Sequence, residues 1–210
     1  ERLATDQEVL GSNPSRRTNY MKRLNLNFLV ISFVFFAVVV RIMAAYFFSD
    51  TRLDNEWGKL VYNLEHAGIL GINVAIDDLN AIHKFASPGD VVLPSIFMPP
   101  LYAYFIYSIK LLFGNLFDVI KAIIFVQIIF SLISIYLFFK ISRKFENFNY
   151  SFLLTTVFSF FPIYIYSSSQ ISSIILQISL FLFFFYFLIE LLNKKKLIYL
   201  IFFSIFSGLL

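Results

Sequence analysis

Apolar runs long enough to cross a bilayer limit what this chain can fold into. They lie at about residues 26–48, 98–113, 117–139, 150–166, 171–192 and 197–210, with lysines and arginines gathered at their edges. A helix needs ~20 apolar residues to cross the hydrocarbon core. The chain is 59% hydrophobic and 14% charged, with 29 phenylalanines, against roughly 45–50% apolar and ~25% charged for a soluble domain. In water such a surface would aggregate. The expected fold class is all-α: a polytopic transmembrane helical bundle.

One long polar stretch interrupts the runs. Residues 49–97 are far longer than the ~2–8 residues that most helix connections need. With the start of the next run, the stretch carries seven of the thirteen acidic residues: Asp50, Asp54, Glu56, Glu65, Asp77, Asp78 and Asp90. Within it, Trp57, Leu60, Val61 and Leu64 recur at helical spacing and predict an amphipathic helix over Asn55–Ala67. Asp54 stands at its N-cap, and Gly68 and Gly71 supply the stop. Such a helix suits the membrane interface, with Trp57 at headgroup depth.

Residues 1–20 differ from the rest. They are polar and end just before Met21, and Gly11–Ser15 resembles the translation of a transfer-RNA T-arm. A non-native or disordered extension is expected there, with Met21 as the start. At the other end the last apolar run stops at Leu210, as in a fragment of a longer membrane domain.

Charge sets orientation. Arg16, Arg17, Lys22 and Arg23 precede the first run and place its start in the cytoplasm, so the 49–97 loop is extracytoplasmic. Two paths remain after the loop. If every run crosses, Lys140, Arg143, Lys144 and Lys194–Lys196 fall outside, against the charge rule. If 98–113 dips in and returns, both clusters fall inside. Arg41, in the outer third of the first run, is expected to snorkel to the headgroups.

Several chemistries are excluded. There are no cysteines and only two histidines, His66 and His83, so neither a disulfide framework nor a multi-histidine metal site is expected. P-loop and zinc-protease motifs are absent. The basic residues flank spans rather than cover a soluble face, so no nucleic-acid partner is expected.

The order of the parts resembles the GT-C membrane glycosyltransferases, nearest to glycosyltransferase family 39, the protein mannosyltransferase and aminoarabinose transferase branch. The residues that carry the resemblance are Asp54-Asn55-Glu56-Trp57, Tyr62-Asn63-Leu64, Gly68, Gly71 and Pro99-Pro100-Leu101-Tyr102. It covers about Leu26–Leu210, the front half of such a membrane domain. It implies transfer of a sugar from a polyprenyl-phosphate donor to a protein, glycan or lipid acceptor, outside the cytoplasmic membrane of a prokaryote. No organic cofactor is implied, and metal dependence stays open.

By the same resemblance the catalytic carboxylates are Asp54 and Glu56; the candidate phosphate-binding cations, Arg52, His83 or Lys84, stand in for a basic family residue that is missing here. The acidic residue lies one position closer to the aromatic than the family pattern has it, which leaves Asp50 and Glu56 as alternatives to Asp54. Met98 stands where some members carry a basic residue. Rival readings are a lipid or polysaccharide transporter or flippase subunit, and a non-catalytic scaffold. The first would place charges near the bilayer midplane, whereas here they collect in one loop.

Overall fold

The computed structural model describes residues 14–50, 52–53, 56–74, 91–94, 99–114 and 118–210. Two compact units divide the chain at Val39/Val40; the second, Val40–Leu210, carries the features described below. Helix α1 is Pro14–Phe48, α2 Glu56–Ala67, α3 Pro100–Phe113, α4 Val119–Phe145, α5 Phe148–Ser159, α6 Pro162–Ser169, α7 Ile174–Lys194 and α8 Leu197–Leu209. Strands β1 (Gly71–Val74) and β2 (Val91–Pro94) form one antiparallel pair, Gly71 facing Pro94. The expected helical bundle is present, with this small pair added in the loop. Its four-residue strands, built on Ile72, Val74, Val91 and Val92, fit the β-branched preference but are too short to declare a period.

Among the described residues three helices are long and apolar enough to cross a membrane: Leu29–Phe48, Val119–Phe145 and Ile174–Lys194. The pair α5–α6, bent by 52°, is long and apolar enough to count as a fourth when taken as one broken span. Pro162 causes the bend. It opens α6 at a position where its missing N–H costs nothing, but it cannot continue α5.

Lipid-facing composition explains the outer surface. Leu112, Phe125, Leu153, Val157 and Phe181 are all more than half exposed, which only an apolar solvent tolerates. Between helices the residues are small. Ser131, Ser134, Ser151, Thr155 and Ser179 are buried, and the Ser134 and Ser179 hydroxyls share a 2.7 Å hydrogen bond between α4 and α7. Close helix approach through small hydroxyl residues is how spans pack when lipid removes the hydrophobic drive.

The ends of the spans sort by chemistry. Lys144 of α4 and Lys194 of α7 each approach the buried Glu190 to 2.5 Å, so the C-terminal ends of both helices meet at a basic end. At the other end the start of α7 meets the end of α1. Helix α3 runs ~21 Å at 1.5 Å per residue, short of the ~30 Å core. Both its ends lie at that same second end. Pro99 and Tyr102 line a cleft with Ser173 and Gln177 at the start of α7. Beyond the middle of α3, Lys110 pairs with Glu65 of α2, and five residues past its C-terminus Asp118 caps α4 by accepting from the Ile120 N–H at 3.0 Å.

Candidate active site at the loop end of the bundle

The predicted amphipathic helix forms α2 and starts at Glu56. Leu60 and Val61 are 1% exposed and join one core with Tyr102, Ala103 and Ile106 of α3, Ile123 of α4 and Leu176 and Leu180 of α7. Gly68 ends the helix with φ 69°, the left-handed value that glycine adopts freely. Burial of this face fixes α2 to the bundle. Trp57 correspondingly meets the Tyr102 ring edge-on at 4.8 Å.

Two contacts set where the loop enters α2. Leu53 is packed against the core cluster, and its carbonyl lies over Gly58 so closely that a Cβ there would come within 1.9 Å of the oxygen. Only glycine permits that approach. At the far end, Asn63 is 1% exposed and donates to the Gly71 carbonyl at 2.8 Å, which ties α2 to β1.

The nominated residues fall as follows. Arg52 and Glu56 are exposed, and among the described residues neither makes a hydrogen bond or an ion pair. Asp54, His83 and Lys84 lie outside the described residues. Asp50 is half-buried, and its Oδ2 accepts from the Ile171 N–H at 2.7 Å. Arg41 does not snorkel: it is 0% exposed. Its Nε donates to Ser131 Oγ at 2.6 Å and its Nη2 to the Ser159 carbonyl at 3.1 Å. The reason is the α5–α6 break, which turns a main-chain carbonyl inward where a buried donor can reach it.

Gln127 is a residue that composition and period did not single out. It is 1% exposed and donates both to Tyr102 Oη at 3.0 Å and to the Ser172 carbonyl at 2.7 Å. Its only signal was an amide inside an apolar run. Beside it, α3 and α7 enclose a cleft of ≈ 480 Å³, apolar along Leu176, Leu180 and Phe185, with Tyr102, Ser173 and Gln177 at its loop end. An amphiphile with a long hydrocarbon tail and a polar head fits that gradient.

No curated protein and no solved structure matches the chain. A family model, dolichyl-phosphate-mannose-protein mannosyltransferase, matches residues 98–210, more than half of the chain. That stretch carries the α3 wall of the cleft, the Gln127 amide and the start of α7. The chain therefore belongs to the dolichyl-phosphate-mannose-protein mannosyltransferase family, and it is a membrane glycosyltransferase of the mannosyltransferase type.

Proposed function

We propose that the protein moves a sugar from a polyprenyl-phosphate donor to an acceptor hydroxyl at the extracytoplasmic face, with Asp54 as general base. The observation that carries this is the mounting of the acidic motif. Asp50 and Trp57, which bracket it in sequence, are anchored at the end of the bundle where the apolar cleft between α3 and α7 opens its polar mouth. A polyprenyl tail stays in the bilayer, so its phosphate and sugar reach the protein at such a mouth.

In the step itself the acceptor oxygen attacks the anomeric carbon and the bond to the phosphate oxygen breaks. The hydroxyl proton passes to the carboxylate. The leaving polyprenyl phosphate carries the negative charge, which a neighbouring guanidinium holds well, two N–H groups to two oxygens. We assign that role to Arg52, which is exposed and two residues from Asp54 in sequence, with His83 and Lys84 as candidates alongside it. Glu56, exposed at the first turn of α2, is the second carboxylate.

The end-sorting of charges supports the orientation. With both ends of α3 on the loop side, the two basic clusters around Lys144 and Lys194 fall on the opposite side from Asp50. The positive-inside rule then puts them, and the start of α1, in the cytoplasm and the loop outside. The path in which 98–113 dips and returns satisfies the rule that the all-crossing path breaks.

Reconstituted full-length enzyme given radiolabelled polyprenyl-phosphate mannose is expected to pass the label to a peptide or glycan acceptor. A cysteine at Lys59 should react with an impermeant thiol reagent from outside, and one at Arg143 from inside. The chain has no cysteine to confuse that result. Donor binding without transfer would make the protein a scaffold, and reactivity of both positions from one side would overturn the orientation.

Gly58→Ala tests the mounting. Displacing the Leu53 carbonyl moves the motif, so turnover is expected to fall by up to ~10²-fold, the scale on which an ångström of misplacement acts. Alanine is the better helix former by about 1 kcal/mol, so α2 itself should survive. Unchanged turnover in purified Gly58→Ala enzyme would show that the Leu53 approach does not position the base.

A further inference from the structure

The end of α1 and the turn before α7 hold each other through two hydrogen bonds that run in opposite directions. The Gln170 amide donates to the Phe48 carbonyl, one of the last four of α1 that the helix cannot satisfy itself. Asp50 Oδ2 accepts from the Ile171 N–H at 2.7 Å. Two residues thus cap each other's neighbours across 120 positions of sequence.

The turn they grip is itself fixed. The Ser172 carbonyl accepts from Gln127 in α4, and the same amide donates to Tyr102 Oη. Tyr102 in turn meets Trp57 edge-on. Asp50 and Trp57, the two ends of an eight-residue stretch, are therefore tied to one frame made of α4 and the 170–172 turn. Arg52, Asp54 and Glu56 lie between the two ties.

We propose that Asp50 and Gln170 are positioning residues: a reciprocal clasp that holds the loop's acidic motif at the mouth of the donor cleft. This deepens the sugar-transfer reading and rests on it. The bond to Ile171 occupies one carboxylate oxygen of Asp50, which sets it apart from Glu56, whose carboxylate makes no such bond among the described residues. Of the two described acidic residues at the start of the loop, Asp50 and Glu56, Asp50 does the holding.

The clasp predicts a pattern that a catalytic carboxylate would not give. In Asp50→Asn the side-chain amide oxygen still accepts from Ile171, so turnover should stay within about threefold of wild type, the scale of a weakened hydrogen bond. Asp50→Ala leaves the N–H bare, and Gln170→Glu sets a carboxylate against the Phe48 carbonyl. Both should lower kcat roughly tenfold to a hundredfold while the donor KM and the amount of folded protein hold. Asp50→Asn as inactive as Asp50→Ala would overturn positioning in favour of chemistry at Asp50. Asp50→Ala with wild-type kcat would remove the role altogether.

A second readout does not depend on turnover. The double variant Asp50→Cys, Gln170→Cys, in a chain with no other cysteine, should be joined in native membranes without donor by a methylene-bridged bis-methanethiosulfonate, each cysteine thiolate displacing a methanesulfinate to form a reducible disulfide link. Joining the pair should restore turnover lost in the reduced form. Transfer by wild type with no cross-linking overturns the clasp. Cross-linking in a protein whose wild-type form transfers nothing overturns the sugar-transfer reading and leaves the contact standing.

Discussion

Asp54→Asn in the full-length enzyme is expected to abolish sugar transfer, a loss of ~10²–10⁴-fold for removal of a general base, with insertion in the membrane unchanged. The substitution isolates the proton. Asn caps a helix as well as Asp does, and the helix that follows is held independently by Leu60 and Val61 in the core and by Gly68 at its end. The capping role that the sequence alone assigns to Asp54, worth about 1 kcal/mol when lost, is preserved by Asn. Only the capacity to take the acceptor's proton goes.

Glu56→Gln is the companion measurement. Glu56 is exposed at the first turn of α2, where a carboxylate gains about 0.3–1 kcal/mol from the helix dipole, so a few-fold effect is expected. The two variants are read by single-turnover transfer from a saturating donor, with protease protection to check insertion. Full turnover by Asp54→Asn together with loss in Glu56→Gln would move the base two residues along. Full turnover by both would sink the enzyme mechanism built on this loop.

How much of this was legible depends on whether a residue's role shows in its neighbours along the chain. The loop helix was legible because Trp57, Leu60, Val61 and Leu64 repeat at helical spacing, and its end because Gly68 is the residue that takes a positive φ. Asn63, a polar residue off the apolar stripe, is nonetheless buried, because its partner, the Gly71 carbonyl, arrives from the following strand. Gln127 and Asp50 depend on partners 45 and 121 positions away, and no local period encodes such pairs. The contact at Gly58 is short in sequence but depends on a loop path that spacing does not fix. The fold class followed from composition. The frame around the motif needed the tertiary contacts.

Arg41 shows the same limit most sharply and yields the largest expected effect on stability. A lone arginine near the end of a span ordinarily reaches the headgroups. Here a proline at 162 sets α6 off from α5 by a bend of 52°, and the Ser159 carbonyl accepts from Arg41 instead. The guanidinium also donates to Ser131 Oγ and lies 5.3 Å from the centre of the Tyr164 ring. Tyr164 in turn donates to the Ser131 carbonyl at 3.0 Å, so four helices, α1, α4, α5 and α6, share one polar knot. Arg41→Leu leaves the Ser159 carbonyl and the Ser131 hydroxyl without this donor, at about 1–3 kcal/mol for each buried group left bare. Loss of the buried cation's own desolvation cost offsets part of that. At about 2–4 °C per kcal/mol for a chain of this size, the melting temperature in detergent should fall by roughly 5–10 °C. Arg41→Lys keeps the charge but not the planar fork that reaches both acceptors, so it should recover little of the loss. A wild-type melting temperature in Arg41→Leu with transfer abolished would reassign the side chain from holding the kink to acting on the donor.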